Sequence, residues 1–319
     1  MLHVITPSPE RFSALAPDPE EDLERLRRNL VRGTVRPEHL IVAATGDGAD
    51  LGRVGLYTHP DGVTVAYAQR LASGGTDLAG TDLAGIDLAE IYGVLLDGIA
   101  SSARSTALAR VEVTVVDADE PDPEVKRAVL AARGWQIDGD RLELQAETGA
   151  TTDARGDGRD RIVEIDPFDP RVVQVMAAAM ADSLDHHDRT QVARLGPEAA
   201  AAAHRDMMTE GPASVPWLAH RGSAPGPGAD EIDSIVGIAA IQAYPTDWSL
   251  GYLAVDPRAR RAGIGTALAR SMLAATGASG VRLATSSVDT ANPRIRGTLG
   301  KAGFTVRSAH TDFVLHLEG

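Results

Sequence analysis

Apolar and polar residues alternate at 111–116 (VEVTVV), the two-residue period of a strand with one buried face. Asp122-Pro123 follows, then a helical stretch, then Gly134-Trp135 opening another strand at 141–145. Most of this order returns later in the chain. A strand-like run at 281–286 leads through Asn292-Pro293 to a helix, Gly303-Phe304 and a last strand at 312–317. In both copies Pro sits where a helix begins and Gly where it stops, so the pattern predicts two copies of one α/β unit.

Just after the first copy the hydrophobic period is lost. Positions 149–160 (GATTDARGDGRD) are small and polar and read as a flexible linker, dividing the chain into domains at 1–148 and 161–319. Positions 222–230 (GSAPGPGAD) lie between two strand-like runs and read as a long hairpin loop. Thr76, Thr81 and Ile86 each open a five-residue unit of the form x-Asp-Leu-Ala-Gly/Glu, a low-complexity insertion too short for a solenoid.

The segment with most chemical content begins at 248–255 (WSLGYLAV), a strand placing Ser249, Gly251, Leu253 and Val255 on one face and Trp248, Leu250, Tyr252 and Ala254 on the other. Gly251 predicts a bulge or a close approach by another chain. After Asp256-Pro257 come Arg258, Arg260, Arg261, Ala262, Gly263, Ile264 and Gly265, then helix formers from Thr266 to Thr276 with a stop at Gly277. The two glycines let backbone amides at a helix start approach an anion, and the helix dipole and arginines add positive potential. A diphosphate suits such a loop.

Composition narrows the choice. The 319 residues, 43% hydrophobic, suffice for two cores, and no cysteine is present for disulfides, thiolate nucleophiles or Cys-ligated metals. A net charge of −14 without a long basic run argues against a nucleic-acid partner and suits an amine-bearing one. With no basic, apolar leader and no run of 18 apolar residues, the expected setting is the cytoplasm, away from any membrane.

The order strand, Val-x-Pro, Arg-x-x-Gly-x-Gly, helix, strand, Asn-Pro, helix, Gly-Phe resembles the GNAT superfamily of acyl-CoA-dependent N-acyltransferases over residues 161–317. Arg260, Gly263 and Gly265 match its signature, and the N-terminal half resembles a degenerate copy without the loop. The resemblance implies two tandem GNAT-like α/β (α+β) domains, each a mixed, mostly antiparallel sheet flanked by helices. It implies acetyl-CoA as co-substrate, its diphosphate on the amides from Arg261 to Thr266, with Asn292 matching a family position. Leu253, Ala254 and Val255 would pair with pantetheine in a cleft between two splayed strands, and an amide near Leu253 would polarise the thioester carbonyl.

The sequence departs from the family where protons move. Leu299 stands where a Tyr often protonates the leaving thiolate, and Ser249 and Ser287 stand where a Glu is frequent. A thiol, pKa ~8.5, leaves with modest help, but an alkylamine of pKa ~10.4 needs a base or a desolvating pocket. Asp247 could act directly or through a water on Ser249. The second candidate region is 182–189, where Asp182 and His186, four residues apart, would share a helix face and Asp185 and His187 would help bind the acceptor. No metal site is expected, and Tyr252, His204 and His220 receive no catalytic role. The expected activity is transfer of acetyl to a primary amine of a small molecule, the rival being a non-catalytic acyl-CoA-binding or regulatory protein; a homodimer is compatible with either.

Overall fold

The computed structural model describes residues 1–58, 64–71, 87–118, 120–148, 161–209, 215, 217–222, 234–244 and 247–317. The chain forms two compact units, one of residues 1–139 with 310–319 and the other of residues 140–309.

In the first unit β1 (Leu2–Ile5), β2 (Leu40–Thr45), β3 (Asp50–Thr58) and β4 (Thr64–Leu71) form an antiparallel run, and β5 (Arg110–Val116) joins β4 in parallel. Helices α1 (Pro9–Ser13) and α2 (Pro19–Arg32) cover Leu40 and Val42 with Phe12 and Leu26. On the opposite face Ile91, Leu95 and Ile99 of α3 (Leu88–Ser105), with Leu130 of α4 (Pro123–Ala132), pack on Leu51, Leu56, Val111 and Val113. The strand after α4 is β6 (Gln136–Glu147).

The second unit opens with β7 (Ile162–Ile165), followed by α5 (Pro170–Ala181), α6 (His186–Leu195) and α7 (Pro197–Thr209). Its sheet runs through β8 (Trp217–Arg221), β9 (Ile235–Ala243) and β10 (Trp248–Val255), all antiparallel, before β11 (Leu283–Asp289) joins β10 in parallel. Between β10 and β11 lies α8 (Ile264–Ala278), and after β11 come α9 (Pro293–Ala302) and β12 (Thr305–His316). One face of the sheet packs on Leu268 and Met272 of α8, the other on Val172, Met176 and Met180 of α5.

The repeat is visible in the capping. Asp122 caps α4 and Asn292 caps α9, each with Pro next, and each helix ends on a left-handed glycine, Gly134 (φ +79°) or Gly303 (φ +109°). Trp135 and Phe304 then donate backwards to Leu130 and Leu299 at 3.2 and 3.1 Å, the same C-terminal closure in both copies.

The compact units differ from the sequence halves 1–148 and 161–319 in where the closing strands go. Residues 310–316 of β12 pair antiparallel with β5, and Phe313 and Leu317 belong to the first core. Residues 141–147 of β6 pair antiparallel with β11, and Leu144 and Ala146 belong to the second core. Both strands alternate apolar and polar residues, a pattern that says which face is buried and leaves open which neighbour is paired.

The predicted linker at 149–160 and the first two five-residue units lie outside the described residues. The third unit opens α3, with Asp87 as its cap. Of the predicted loop at 222–230 only Gly222 is described; it donates to Ser234 between antiparallel β8 and β9. Gly277 does not end α8. The helix continues to Ala278 and closes on left-handed Gly280, while a Cβ on Gly277 would meet the Thr148 carbonyl at 3.2 Å. Among the described residues no helix is long and apolar enough to cross a membrane.

Candidate functional site

Strands β10 and β11 are in register only at Trp248 with Ala284 and Ser249 with Thr285. The Ser286 hydroxyl then donates to the Leu250 carbonyl at 2.9 Å, and beyond it the pairing stops. At the same point the pairing of β10 with β9 shifts between Leu250 and Tyr252, which places the expected bulge at Gly251. A Cβ there would meet the terminal methyl of Met208 of α7, so any larger residue would require that flexible side chain to shift. From Tyr252 to Val255 one edge of β10 therefore faces a gap between two strands.

The bulge also resets the faces. Trp248 and Leu250 lie on the α8 side together with Leu253 and Val255, while Tyr252 and Ala254 join the core under α5 and α7. Strict alternation puts Ser249 and Leu253 on one face. The extra residue breaks that phase, so Ser249 falls on the side of Tyr252.

The glycine loop lies at the far end of β10. Arg261 (φ +70°) and Gly263 (φ +80°) both adopt left-handed conformations. Helices α1, α2, α3, α4, α5, α6 and α9 each have a Ser, Asp or Asn side chain accepting from a first-turn amide; α8, capped by Gly263, has none. Its first amides are thus left for an outside acceptor. Gly265 serves packing instead, since a Cβ there would press on Thr298 at 3.1 Å and touch Leu253 and Val255 at 3.7 Å. It lets α8 lie close against β10 and α9.

The arginines divide their work. Arg260 donates to the Val255 carbonyl at 3.2 Å and the Ala179 carbonyl at 3.4 Å and pairs with Asp182, so it ties the loop to β10 and α5. Arg258 holds Asp256, and that hydrogen bond keeps the Asp256 carboxyl below its usual range. Arg261, Ala262 and Gly263 are exposed, whereas Ile264 is buried against the core and Gly265 and Thr266 are half-buried.

Asn292 accepts from the Ile295 amide at 3.3 Å and caps α9. Asn292→Ala is expected to lower the unfolding free energy by about 1 kcal/mol, with Asn292→Asp restoring it, as read by urea denaturation.

On the acceptor side the expected Asp182–His186 pair does not form. Helix α5 ends at Ala181, and His186 begins a new helix capped by Asp185, whose carboxylate accepts from the His187 and Asp188 amides. Asp182 and His186 therefore share no helix face, and Asp182 is engaged by Arg260. Asp247, at the paired end of the strands, accepts from the Thr285 hydroxyl at 3.0 Å. Ser287 is exposed and accepts from Arg141 at 3.1 Å, while Leu299 is fully buried in the α8 core.

The first turn of α6 holds an arrangement that the sequence pattern does not reveal. The His186 amide donates to Asp289 of β11 at 2.8 Å, and the Tyr252 hydroxyl of β10 donates to Asp188 at 2.9 Å. This turn thus bridges the two strands beyond the point where they part. Asp188 is 4% exposed, and burial raises its carboxyl to about 6 against hydrogen bonds from Ser183 and Tyr252. Burial and the Asp188 charge push the Tyr252 phenol well above its ordinary value, so it remains a donor. The ring of His204 lies 4.7 Å from that of Tyr252, and His187 lies 6.2 Å from His204. Asp185 and Asp188 three residues apart have the spacing of a helix start, the signal that separates α6 from α5. Among the described residues no group of three or more His, Asp or Glu side chains is placed to hold a metal.

Residues 192–304 match the model of the acetyltransferase (GNAT) family. No curated protein matches the sequence. Among solved structures the chain is similar to a GCN5-related N-acetyltransferase from Sphaerobacter thermophilus, with TM-score 0.62 and 14% identity over 100% of this chain and 96% of that one. It is also similar to a tandem GNAT protein from the clavulanic acid biosynthesis pathway, with TM-score 0.58 and 14% identity over 100% and 99% of the two chains. A third likeness, TM-score 0.55 and 12% identity, covers 99% of this chain and 38% of a fungal multi-domain GH3 β-N-acetylglucosaminidase, in a GCN5-related glucosamine N-acetyltransferase region. Residues 192–304 thus match the acetyltransferase (GNAT) family model, and the chain as a whole has the fold of tandem GNAT proteins.

Proposed function

We propose that the second unit transfers an acetyl group from acetyl-CoA to a primary amine of a small molecule. The observation that carries this reading is the uncapped N-terminus of α8, preceded by left-handed Arg261 and Gly263, at the end of a strand that parts from its neighbour. The diphosphate would rest on the amides from Arg261 to Thr266 and the pantetheine along Leu253, Ala254 and Val255. An amide at the bulge would stabilise the charge developing on the thioester oxygen. The net charge of −14 and the N-acetyltransferase descriptions of two structures of the same fold favour an amine acceptor.

The first unit would then serve as scaffold. Its α3 is capped by Asp87, whose carboxylate accepts from the Ala89 amide, and Glu90 lies in the same turn. A helix start already holding a carboxylate repels a diphosphate.

Buried Leu299 at the position of the usual thiolate acid favours a second reading, an acyl-CoA binder without turnover. Calorimetry with acetyl-CoA, followed by thiol release in the presence of polyamines, amino acids, aminoglycosides, glucosamine and peptide N-termini, separates the two. Binding with release for one class is expected. Binding without release across the panel would favour the binder, and no binding would remove both readings.

A further inference from the structure

The first turn of α6 holds one strand at each end, Asp289 of β11 through the His186 amide and Tyr252 of β10 through the Asp188 carboxylate. Tyr252 is the first residue after the bulge, adjacent in sequence to Leu253, and its hydroxyl reaches toward α6. A buried carboxylate hydrogen-bonded to a phenol at this place is costly to keep unless it has work to do, and loop capping is already supplied by Asp185.

We propose that Tyr252 takes the proton from the acceptor amine and relays it to Asp188, so that this pair fills the place left by Ser249 and Ser287. The proposal rests on the acetyltransferase reading above. Tyr252 is the catalytic residue, and Asp188 acts through it.

The amine arrives as an ammonium ion. One N–H proton passes to the Tyr252 oxygen while the Tyr252 proton passes to the Asp188 carboxylate, giving a neutral amine and a carboxylic acid. The amine lone pair forms the N–C bond to the acetyl carbon, and the C–S bond breaks with its electrons going to the coenzyme A sulfur. The amine's second proton reaches the sulfur through solvent, and Asp188 returns its proton to solvent. One ammonium and one thioester give one amide, one thiol and one proton.

Around the pair stand Ser183 and Asp185 from the turn, Arg141 from β6, His187 from α6, His204 from α7 and Arg260 from the loop. The relay needs Asp188 ionised, so kcat/KM should fall as pH drops through about 6, where its carboxyl is held. His187 and His204 carry imidazoles of their own, so the variant comparison and not the wild-type profile alone assigns the acidic limb.

The experiment measures pH profiles of thiol release for wild type, Asp188→Asn and Tyr252→Phe, using acetyl-CoA and the amine from the panel that wild type turns over, with calorimetric acetyl-CoA affinity and melting temperature for each. Asp188→Asn keeps an acceptor for the Tyr252 hydroxyl and removes a buried charge, so it is expected to melt no lower than wild type. Both variants should bind acetyl-CoA as wild type does, lose about a hundredfold or more in kcat/KM, and lose the limb near pH 6. Wild-type rate or an unchanged acidic limb in Asp188→Asn would overturn the relay, as would acetyl-CoA binding with no turnover of any amine. Absence of acetyl-CoA binding by wild type would instead overturn the reading on which the relay rests.

Discussion

Gly263→Glu is expected to weaken acetyl-CoA binding by about a hundredfold or more. A carboxylate roughly 4 Å from the diphosphate, at the effective dielectric of a protein surface, opposes binding by about 4 kcal/mol. The backbone adds a second effect, because Gly263 has φ +80° and a Cβ in that region is strained by about 1–2 kcal/mol. A Cβ on this glycine would have no other atom within 4 Å, so steric overlap contributes nothing. The two effects separate with controls. Gly263→Asn tolerates the left-handed conformation and should keep most of the affinity, while Gly263→Ala carries the strain alone. Isothermal titration with acetyl-CoA reads all three, and equal affinity for Gly263→Glu and wild type would remove the diphosphate from this loop.

The second large effect concerns stability and crosses the sequence halves. Phe313→Ala, near the C-terminus, should destabilise the unit built mainly from residues 1–139 by about 3–5 kcal/mol, and Leu144→Ala should destabilise the unit of residues 140–309 by about 2–5 kcal/mol. Each side chain is 2% exposed, Phe313 in the core with Leu51, Leu95 and Val113, Leu144 in the core with Leu250, Leu268 and Met272. Since two units need not unfold together, local hydrogen exchange is the proper readout. Faster exchange should appear in β2, β3 and α3 for Phe313→Ala and in β9, β10 and α8 for Leu144→Ala. The opposite assignment would contradict the strand exchange.

Asp188 also affects stability with a definite sign. Its carboxyl is raised from 3.8 to about 6 on folding, so between those values the folded chain binds more protons than the unfolded one. Ionisation of this group therefore opposes folding increasingly as pH rises from about 4 to 6, by about 3 kcal/mol in full. A buried carboxylate that lowers stability at neutral pH, on the α6 turn that bonds to both β10 and β11, has the perturbed setting in which functional carboxylates occur.

Several elements were legible in the chain itself because they depend on local chemistry. Asp122-Pro123 and Asn292-Pro293 start helices, and Gly134 and Gly303 end them, since caps and left-handed glycines act within a few residues. The bulge at Gly251 and the glycine loop at Arg260–Gly265 were readable for the same reason. Other features came only from the folded chain. The bulge shifts the phase of every later residue in β10, which turned Tyr252 toward α6 and onto the same side as Ser249. The break between α5 and α6 undid the spacing argument for Asp182 and His186 and turned Asp182 toward Arg260. Alternation in β6 and β12 fixed which residues are buried, but a two-residue period is the same against any partner strand, so only tertiary pairing decided that residues 310–316 complete the first sheet and residues 141–147 the second. Burial of Asp188 is likewise set by strands far away in sequence, and its chemistry could not be read from the residues beside it.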